Sequence, residues 1–168
     1  MNVPAYTGRF APTPSGYLHF GSLVAALASY LDARAAGGRW LLRMEDLDPP
    51  REMPGAQDAI LRTLETYGFA WDGAVERQSA RHEAYAAALD QLLARGLAYP
   101  CSCSRKQLDG QPIYPGTCRT AGRPAHDAAI RLRVPDAEYA FVDRVQGRFA
   151  QNLAREVGDF VIRRRDGL

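Results

Sequence analysis

A chain of 168 residues with a formal net charge of +2 can enclose one sizeable hydrophobic core. Hydrophobic residues make up 46% of the chain and charged residues 24%, which is typical of a globular domain. No apolar run approaches the length that spans a membrane and no signal peptide is visible at Met1, so we expect a cytoplasmic protein. Three cysteines, an odd count, argue against a disulfide framework and favour free thiols or a metal site.

The first segments of the chain predict a βαβ unit. A strand is expected from Tyr6 to Phe10, a helix from Ser22 to Ala36 and a second strand from Trp40 to Met44. The apolar run of the second strand favours a parallel sheet that is covered on both faces. The helix is expected to bury one apolar face, formed by Leu23, Leu27, Tyr30 and Leu31.

Two more helices are predicted before residue 97. The first begins near Pro54 and ends before Gly68. The second begins at Ser79, which serves as its N-cap, and stops at Gly96. The residues expected on the apolar faces of these two helices are Ile60, Leu61, Leu64 and Tyr67, and then Tyr85, Leu89, Leu92 and Leu93.

The composition of the chain changes after Tyr99. Residues 101–124 are rich in Cys, Gly, Pro and Ser, whereas 129–134, 140–145 and 159–163 are typical of short strands. We therefore expect residues 1–98 to form the first half of a doubly wound α/β domain. Residues 99–168 are expected to form an inserted α+β domain that begins with a Cys-rich module at 101–118.

The turn between the first strand and the first helix has the features of an anion site. Free backbone N–H groups and the helix dipole favour a phosphate there, and Gly16 and Gly21 permit close approach of a ligand. His19 lies where its ring can reach such a phosphate. A lone histidine is more often structural than catalytic, so both interpretations of His19 stay open.

The carboxyl ends of the two predicted strands meet at one crevice, where parallel sheets bind ligands. One end presents Arg9 and the other Glu45, a pair suited to a substrate with carboxylate and ammonium groups. The alternative is a structural ion pair between these two side chains. Asp46 and Asp48 follow Glu45, and we interpret them as part of a polar loop rather than a cation site.

A cluster of thiols is predicted in the Cys-rich module. Cys101, Cys103 and Cys118 together suit tetrahedral zinc in a reducing compartment. The fourth ligand is open: His126 is the conventional candidate and Tyr114 an unusual one. The alternative for the whole cluster is a set of buried free thiols.

Several stretches together resemble a known family. In chain order they are Arg9–Gly16 with His19–Ser22, Arg43–Arg51, Tyr67–Asp72, Gln78–Ser79, Gly96–Cys101 and Asp159–Arg163. Their order and spacing resemble the class I aminoacyl-tRNA synthetases in their glutamyl form, over nearly the whole chain. The resemblance implies a Rossmann-like parallel-sheet catalytic core with an inserted zinc module. It also implies a monomeric ligase that activates glutamate with ATP and Mg²⁺.

The resemblance also implies roles for individual residues. His19 would be catalytic and stabilise the phosphoryl centre. Arg9 would hold the side-chain carboxylate of glutamate and Glu45 its amino group, while Phe20 stands where the family has isoleucine and is expected to pack inward. The full set implied for glutamate is Arg9, Phe10, Ala11, Pro12, Thr13 and Glu45, and that for ATP is Pro12, His19, Phe20, Gly21 and Ser22. The set implied for zinc is Cys101, Cys103, Tyr114 and Cys118.

The spacing of Tyr114 and Cys118 resembles a shortened branch of the family. That branch has no anticodon-binding domain and joins glutamate to queuosine in the anticodon loop of tRNA-Asp. Two alternatives remain, the N-terminal part of an ordinary glutamyl-tRNA synthetase and a non-catalytic, zinc-containing RNA-binding module. The family's second signature needs a late lysine, and Lys106 is the only lysine of this sequence. We therefore expect the N-terminal part of a longer enzyme, inactive by itself.

Overall fold

The computed structural model describes residues 6–167, which belong to two units, Met1–Glu83 and Ala84–Leu168. Across that described range, none of the helices has both the length and the apolar character needed to traverse a bilayer. The elements of the first unit are β1 (Thr7–Phe10), α1 (Phe20–Ala35), β2 (Arg39–Met44), α2 (Ala56–Thr66) and β3 (Glu76–Arg77). Helix α3 (His82–Ala94) begins at the end of this unit.

The first unit contains a parallel sheet with the strand order β1-β2-β3. Strands β1 and β2 pair in parallel with Gly8 opposite Trp40, and α1 connects them, so the predicted βαβ unit is confirmed. Strand β3 was not predicted. It has two residues, both exposed, and so carries no hydrophobic periodicity by which a sequence could reveal it.

The core of the first unit lies between this sheet and its helices. Trp40, Leu42 and Met44 alternate along β2 and are almost fully buried, together with Ile60 and Leu64 of α2. The last two residues were predicted to be buried, and that prediction is confirmed. Leu41 and Arg43, whose side chains lie on the other face of β2, are half-buried, so the second face of this strand is covered in part.

The predicted apolar face of α1 is confirmed at Tyr30, which packs against Trp40 and Phe69, and is wrong at two leucines. Leu27 and Leu31 are 47% and 55% exposed, and the helix buries Ala26 and Ala33 instead. The cause is the close approach of α1 to β1. A Cβ atom placed on Gly8 would lie 3.1 Å from Cβ of Ala33, so only small side chains fit between the helix and the strand.

Three further expectations about the helices are wrong. Tyr67 is 67% exposed because α2 ends at Thr66, and Gly68 follows in the left-handed conformation. Helix α3 buries none of its residues, and Tyr85 is 37% exposed. Ser79 is not the N-cap of α3, since it lies in a 3-10 turn that precedes the helix (Gln78–Arg81).

The second unit is built on antiparallel pairing. Its elements are β4 (Ala98–Cys101), β5 (Ala129–Leu132), β6 (Glu138–Asp143), β7 (Gly147–Asn152), α4 (Leu153–Glu156) and β8 (Val161–Arg163). One sheet has the order β4-β5-β8, and β6 and β7 form a separate hairpin. The three strands predicted after residue 128 thus correspond to β5, β6 and β8, with bounds shifted by about two residues.

A buried carboxylate ties the second unit together. Asp159 is 4% exposed and accepts hydrogen bonds from Tyr99 Oη, from two nitrogens of Arg119 at 2.9 Å and from the backbone N–H of Val134 at 2.8 Å. Burial alone would raise the pKa of Asp159, but these donors outweigh burial and hold it below the ordinary value. The carboxylate therefore joins segments that lie up to 60 residues apart in the sequence.

Candidate catalytic cleft and metal centre

A cleft of about 580 Å³ opens at the N-terminus of α1. Most of the residues predicted to bind ATP or glutamate line it. The lining residues are Phe10, Ala11, Pro12, Thr13, Ser15, Gly16, Tyr17, Leu18, His19, Gly21, Ser22 and Ala25. The wall of the cleft therefore consists of the end of β1, the loop that follows it and the first turns of α1, where unpaired backbone N–H groups favour an anion.

The loop between β1 and α1 is fixed by its neighbours. The carbonyl of Pro12 accepts a hydrogen bond from the N–H of Glu45 at 2.9 Å, and the carbonyl of Pro14 accepts one from Met53, also at 2.9 Å. Both prolines are buried. The cleft is therefore anchored to the end of β2, where parallel strands present their ligand-binding residues.

His19 is the N-cap of α1. Its Nδ1 atom accepts a hydrogen bond from the backbone N–H of Ser22 at 3.3 Å. An imidazole whose Nδ1 is an acceptor carries its hydrogen on Nε2, so the ring retains one donor for a ligand. A Cβ atom on Gly21 would come within 3.2 Å of this ring, so glycine gives the ring room in that position.

Arg9 and Glu45 do not form the structural ion pair that was the alternative for them. The Glu45 carboxylate accepts a hydrogen bond from Arg43 at 2.6 Å. Arg9 is exposed and has no side-chain partner within residues 6–167. Neither residue lines the cleft described above. Arg43 was not singled out in the sequence, because an arginine inside a strand has no distinctive pattern.

The expectation that Phe20 packs inward is wrong. Its side chain is 81% exposed, and it does not line the cleft. Phe20 is the first residue of α1, and the residues that this helix buries, Ala26 and Ala33, lie further along it. The ring therefore lies beyond the buried face of the helix.

The acidic residues after Glu45 form the polar loop that was predicted. Asp46 is 5% exposed and accepts hydrogen bonds from the N–H and the hydroxyl of Ser79 at 3.0 and 2.6 Å. Burial would raise the pKa of Asp46, but the bonds from Ser79 outweigh it and lower the pKa. Asp48 pairs with Arg51 at 2.6 Å. Ser79 thus connects the chain that follows β3 to the end of β2.

The three cysteines of the second unit converge. Their sulfur atoms lie within 4.8 Å of one another, and those of Cys103 and Cys118 are 3.6 Å apart. Cys101 and Cys118 are buried, and Cys103 is half-buried. Burial opposes ionisation of Cys118, yet the N–H of Ser102 and the neighbouring hydroxyl and thiols outweigh it and lower its pKa to about 6.

Tyr114 belongs to this cluster and His126 does not. The phenol oxygen of Tyr114 is 3.4 Å from the sulfur of Cys101 and accepts a hydrogen bond from the N–H of Cys118 at 2.9 Å. His126 is 88% exposed and contacts Asp127. The structure thus brings together the four residues predicted for zinc, three sulfur atoms and one oxygen, which is the ligand number of a structural zinc site.

The comparisons with known proteins identify the family. The family model "tRNA synthetases class I (E and Q), catalytic domain" matches residues 6–113. The chain belongs to this family.

Curated relatives are similar along the whole chain. The Glutamyl-Q tRNA(Asp) synthetase of Ectopseudomonas mendocina (strain ymp) is 78% identical over 169 residues, which cover 100% of this chain and 57% of the relative. The protein of the same name from Pseudomonas aeruginosa (strain PAO1) is 76% identical and is covered to 56%. The chain therefore spans just over half the length of these relatives.

Two crystal structures are similar in fold. The glutamate-tRNA synthetase of Elizabethkingia anophelis matches with a TM-score of 0.81 at 28% identity, over 97% of this chain and 40% of that one. The glutamate tRNA ligase of Elizabethkingia meningosepticum, solved with its amino acid, matches with a TM-score of 0.80 at 29% identity. Both matches agree with the α/β class I synthetase fold predicted from the sequence.

Proposed function

We propose that this chain contributes to a ligase that activates glutamate with ATP as glutamyl-adenylate and joins it to queuosine in the anticodon loop of tRNA-Asp. The observation that carries the proposal is the 78% identity, over 100% of this chain and 57% of the relative, to a protein named Glutamyl-Q tRNA(Asp) synthetase. The cleft at the N-terminus of α1 supplies the phosphate-binding geometry that adenylate formation needs. An ordinary glutamyl-tRNA synthetase is less favoured, because the matching structures of that kind are only 28–29% identical.

We propose roles for residues that line the cleft and for Arg9 and Glu45 at the ends of β1 and β2. His19 would donate from Nε2 to a phosphate oxygen, and the backbone around Pro12, Gly21 and Ser22 would hold ATP with its Mg²⁺. Arg9 would bind the side-chain carboxylate of glutamate, since its guanidinium is exposed and unpaired within residues 6–167. Glu45, oriented by Arg43, would accept a hydrogen bond from the amino group of the substrate glutamate. Adenylate formation needs no covalent enzyme intermediate. The enzyme therefore has to position glutamate and ATP and to neutralise the charge of the phosphates.

We further propose that Cys101, Cys103, Tyr114 and Cys118 hold one structural zinc ion. The support is the convergence of three sulfur atoms and a phenol oxygen in a segment with little regular structure. When bound, zinc would cross-link the ends of this segment and so order it.

We propose residues 1–98 as the first half of the catalytic domain and 99–168 as the inserted domain, in a monomeric cytoplasmic enzyme.

The proposed reaction is tested by charging purified tRNAs with labelled glutamate. Because the chain spans 57% of its relative, the experiment uses a chimera in which residues 1–168 are continued by the remainder of the Ectopseudomonas mendocina protein. We expect ATP–pyrophosphate exchange that depends on glutamate but not on tRNA. Label should then appear on tRNA-Asp that contains queuosine and be absent from tRNA-Asp that lacks it. Label on tRNA-Glu instead would reassign the chain to ordinary glutamyl-tRNA synthetases.

The zinc site is tested by elemental analysis of the purified 168-residue chain. We expect about one zinc per chain, as a closed four-ligand site holds. Tyr114→Phe, which removes only the ligand oxygen, should lower the zinc affinity by about tenfold or more, because metal sites lose affinity on this scale when their ligand environment is disturbed. His126→Ala is the matched control and should retain zinc. Metal-free protein with a natively ordered segment, or loss of zinc in the control alone, would refute the proposed ligand set.

A further inference from the structure

One arginine touches two of the four proposed zinc ligands. Arg131 lies on β5, opposite Tyr99 of β4. Its Nε atom donates to the sulfur of Cys101 at 3.3 Å, and its guanidinium carbon lies 3.8 Å from the centre of the Tyr114 ring. A third contact runs from Nη1 to the backbone carbonyl of Asp159 at 2.6 Å, which fixes the guanidinium in place.

A zinc centre with these ligands carries a net negative charge, which a neighbouring guanidinium can balance. Three thiolates around one divalent zinc ion leave a net negative charge, in a place where Cys101 and Cys118 are buried. A buried negative charge is costly unless it is paired or accepts hydrogen bonds. A guanidinium is always charged, and its planar fork can donate to one ligand while its face lies on another.

We propose that Arg131 is the positioning residue of this metal centre. It donates to the thiolate of Cys101 and holds the ring of Tyr114 against the cysteines, so that the four ligands are arranged before zinc arrives. This inference rests on the zinc site proposed above. It adds a residue that the spacing of the ligands in the sequence does not indicate, 13 residues beyond Cys118.

A neighbouring arginine offers a matched control. Arg133 lies two residues further along and also places its guanidinium over an aromatic ring, that of Tyr99, at 5.2 Å. It donates to the backbone carbonyls of Gly96 and Arg119 at 3.0 and 2.9 Å. None of its described contacts involves a cysteine. Both arginines are charged and lie over an aromatic ring, but of the two only Arg131 contacts the proposed ligands.

The experiment measures zinc affinity of the 168-residue chain by competition with a chromogenic chelator, and the absorption of the cobalt-substituted protein. Arg131→Gln should weaken zinc binding by about 10–100-fold, the usual effect of removing a hydrogen bond to a metal ligand, and should change the thiolate-to-cobalt charge-transfer band. Arg131→Lys keeps the charge and should recover part of the affinity. Arg133→Gln should bind zinc within about twofold of the wild type and leave the cobalt spectrum unchanged, since it removes no contact to a ligand.

The outcomes separate this inference from the zinc site itself. A wild-type chain that takes up no zinc overturns both. Two results overturn the role of Arg131 but leave the zinc site standing. One is an equal loss of zinc affinity in Arg131→Gln and Arg133→Gln. The other is wild-type zinc affinity and an unchanged cobalt spectrum in Arg131→Gln. Circular dichroism checks folding, and if Arg131→Gln does not fold, the cobalt spectrum of Arg131→Lys decides: a wild-type spectrum refutes the role and a shifted one supports it.

Discussion

Replacing Asp159 by alanine should destabilise the second unit by about 3 kcal/mol, because buried donors lose their acceptor and the partly exposed Arg119 loses its counter-charge. The substitution leaves Arg119 without its counter-charge and leaves the Tyr99 hydroxyl and the N–H of Val134 without an acceptor. Each buried polar group without a partner adds to the loss. Asp159→Asn keeps an acceptor oxygen but not the charge, so its effect should be smaller.

Hydrogen exchange of the backbone amides measures this effect. Protection in β4, β5 and β8 should fall by about a hundredfold or more in Asp159→Ala, because each 1.4 kcal/mol changes the population of the open state tenfold. The matched control is Asp166→Ala, which removes a carboxylate paired with Arg164 at the surface and 49% exposed. Such a pair contributes about 0–1 kcal/mol. Unchanged protection in β5 of Asp159→Ala would show that the carboxylate does not hold the unit together.

The parts of the fold that were predicted correctly depend on local signals. The βαβ unit is visible because an apolar run, a helical segment and paired glycines follow one another within 40 residues. The three cysteines were grouped from their spacing and Tyr114 was added by the family resemblance, and the structure brings all four together. Each of these signals is contained in a few neighbouring residues.

The parts that were missed depend on partners distant in the sequence. Nothing near Ser79 shows that its hydroxyl is used by Asp46, 33 residues earlier, so its assignment as a helix cap was wrong. Similarly, leucines at helical spacing predict a buried face, but their spacing does not show how close the neighbouring strand lies. Gly8 of β1 lies so close to α1 that only small side chains fit between them. Arg131 and Asp159 act through contacts across 28 to 60 residues, which no motif records.

The two functions assigned to His19 can be separated by two substitutions at that position. His19→Ala removes the N-cap acceptor for Ser22 and the free Nε2 donor together. His19→Asn keeps a side-chain oxygen that caps a helix well, but removes the imidazole. A purely structural histidine predicts that asparagine restores the wild-type behaviour. A catalytic histidine predicts that it does not.

We expect both variants to slow glutamate-dependent ATP–pyrophosphate exchange by about a hundredfold, the usual cost of one donor that stabilises transition-state charge. The loss should fall on kcat rather than on KM for glutamate, because the interaction is made only in the transition state. Only His19→Ala should also lower stability, by about 1 kcal/mol, through the lost cap. The assay uses the chimera described above. Arg9→Ala, by contrast, should raise KM for glutamate, since it removes a partner of the substrate carboxylate. Wild-type exchange in His19→Asn would reduce His19 to a helix cap, and the phosphate would then be held by the backbone N–H groups of α1 alone.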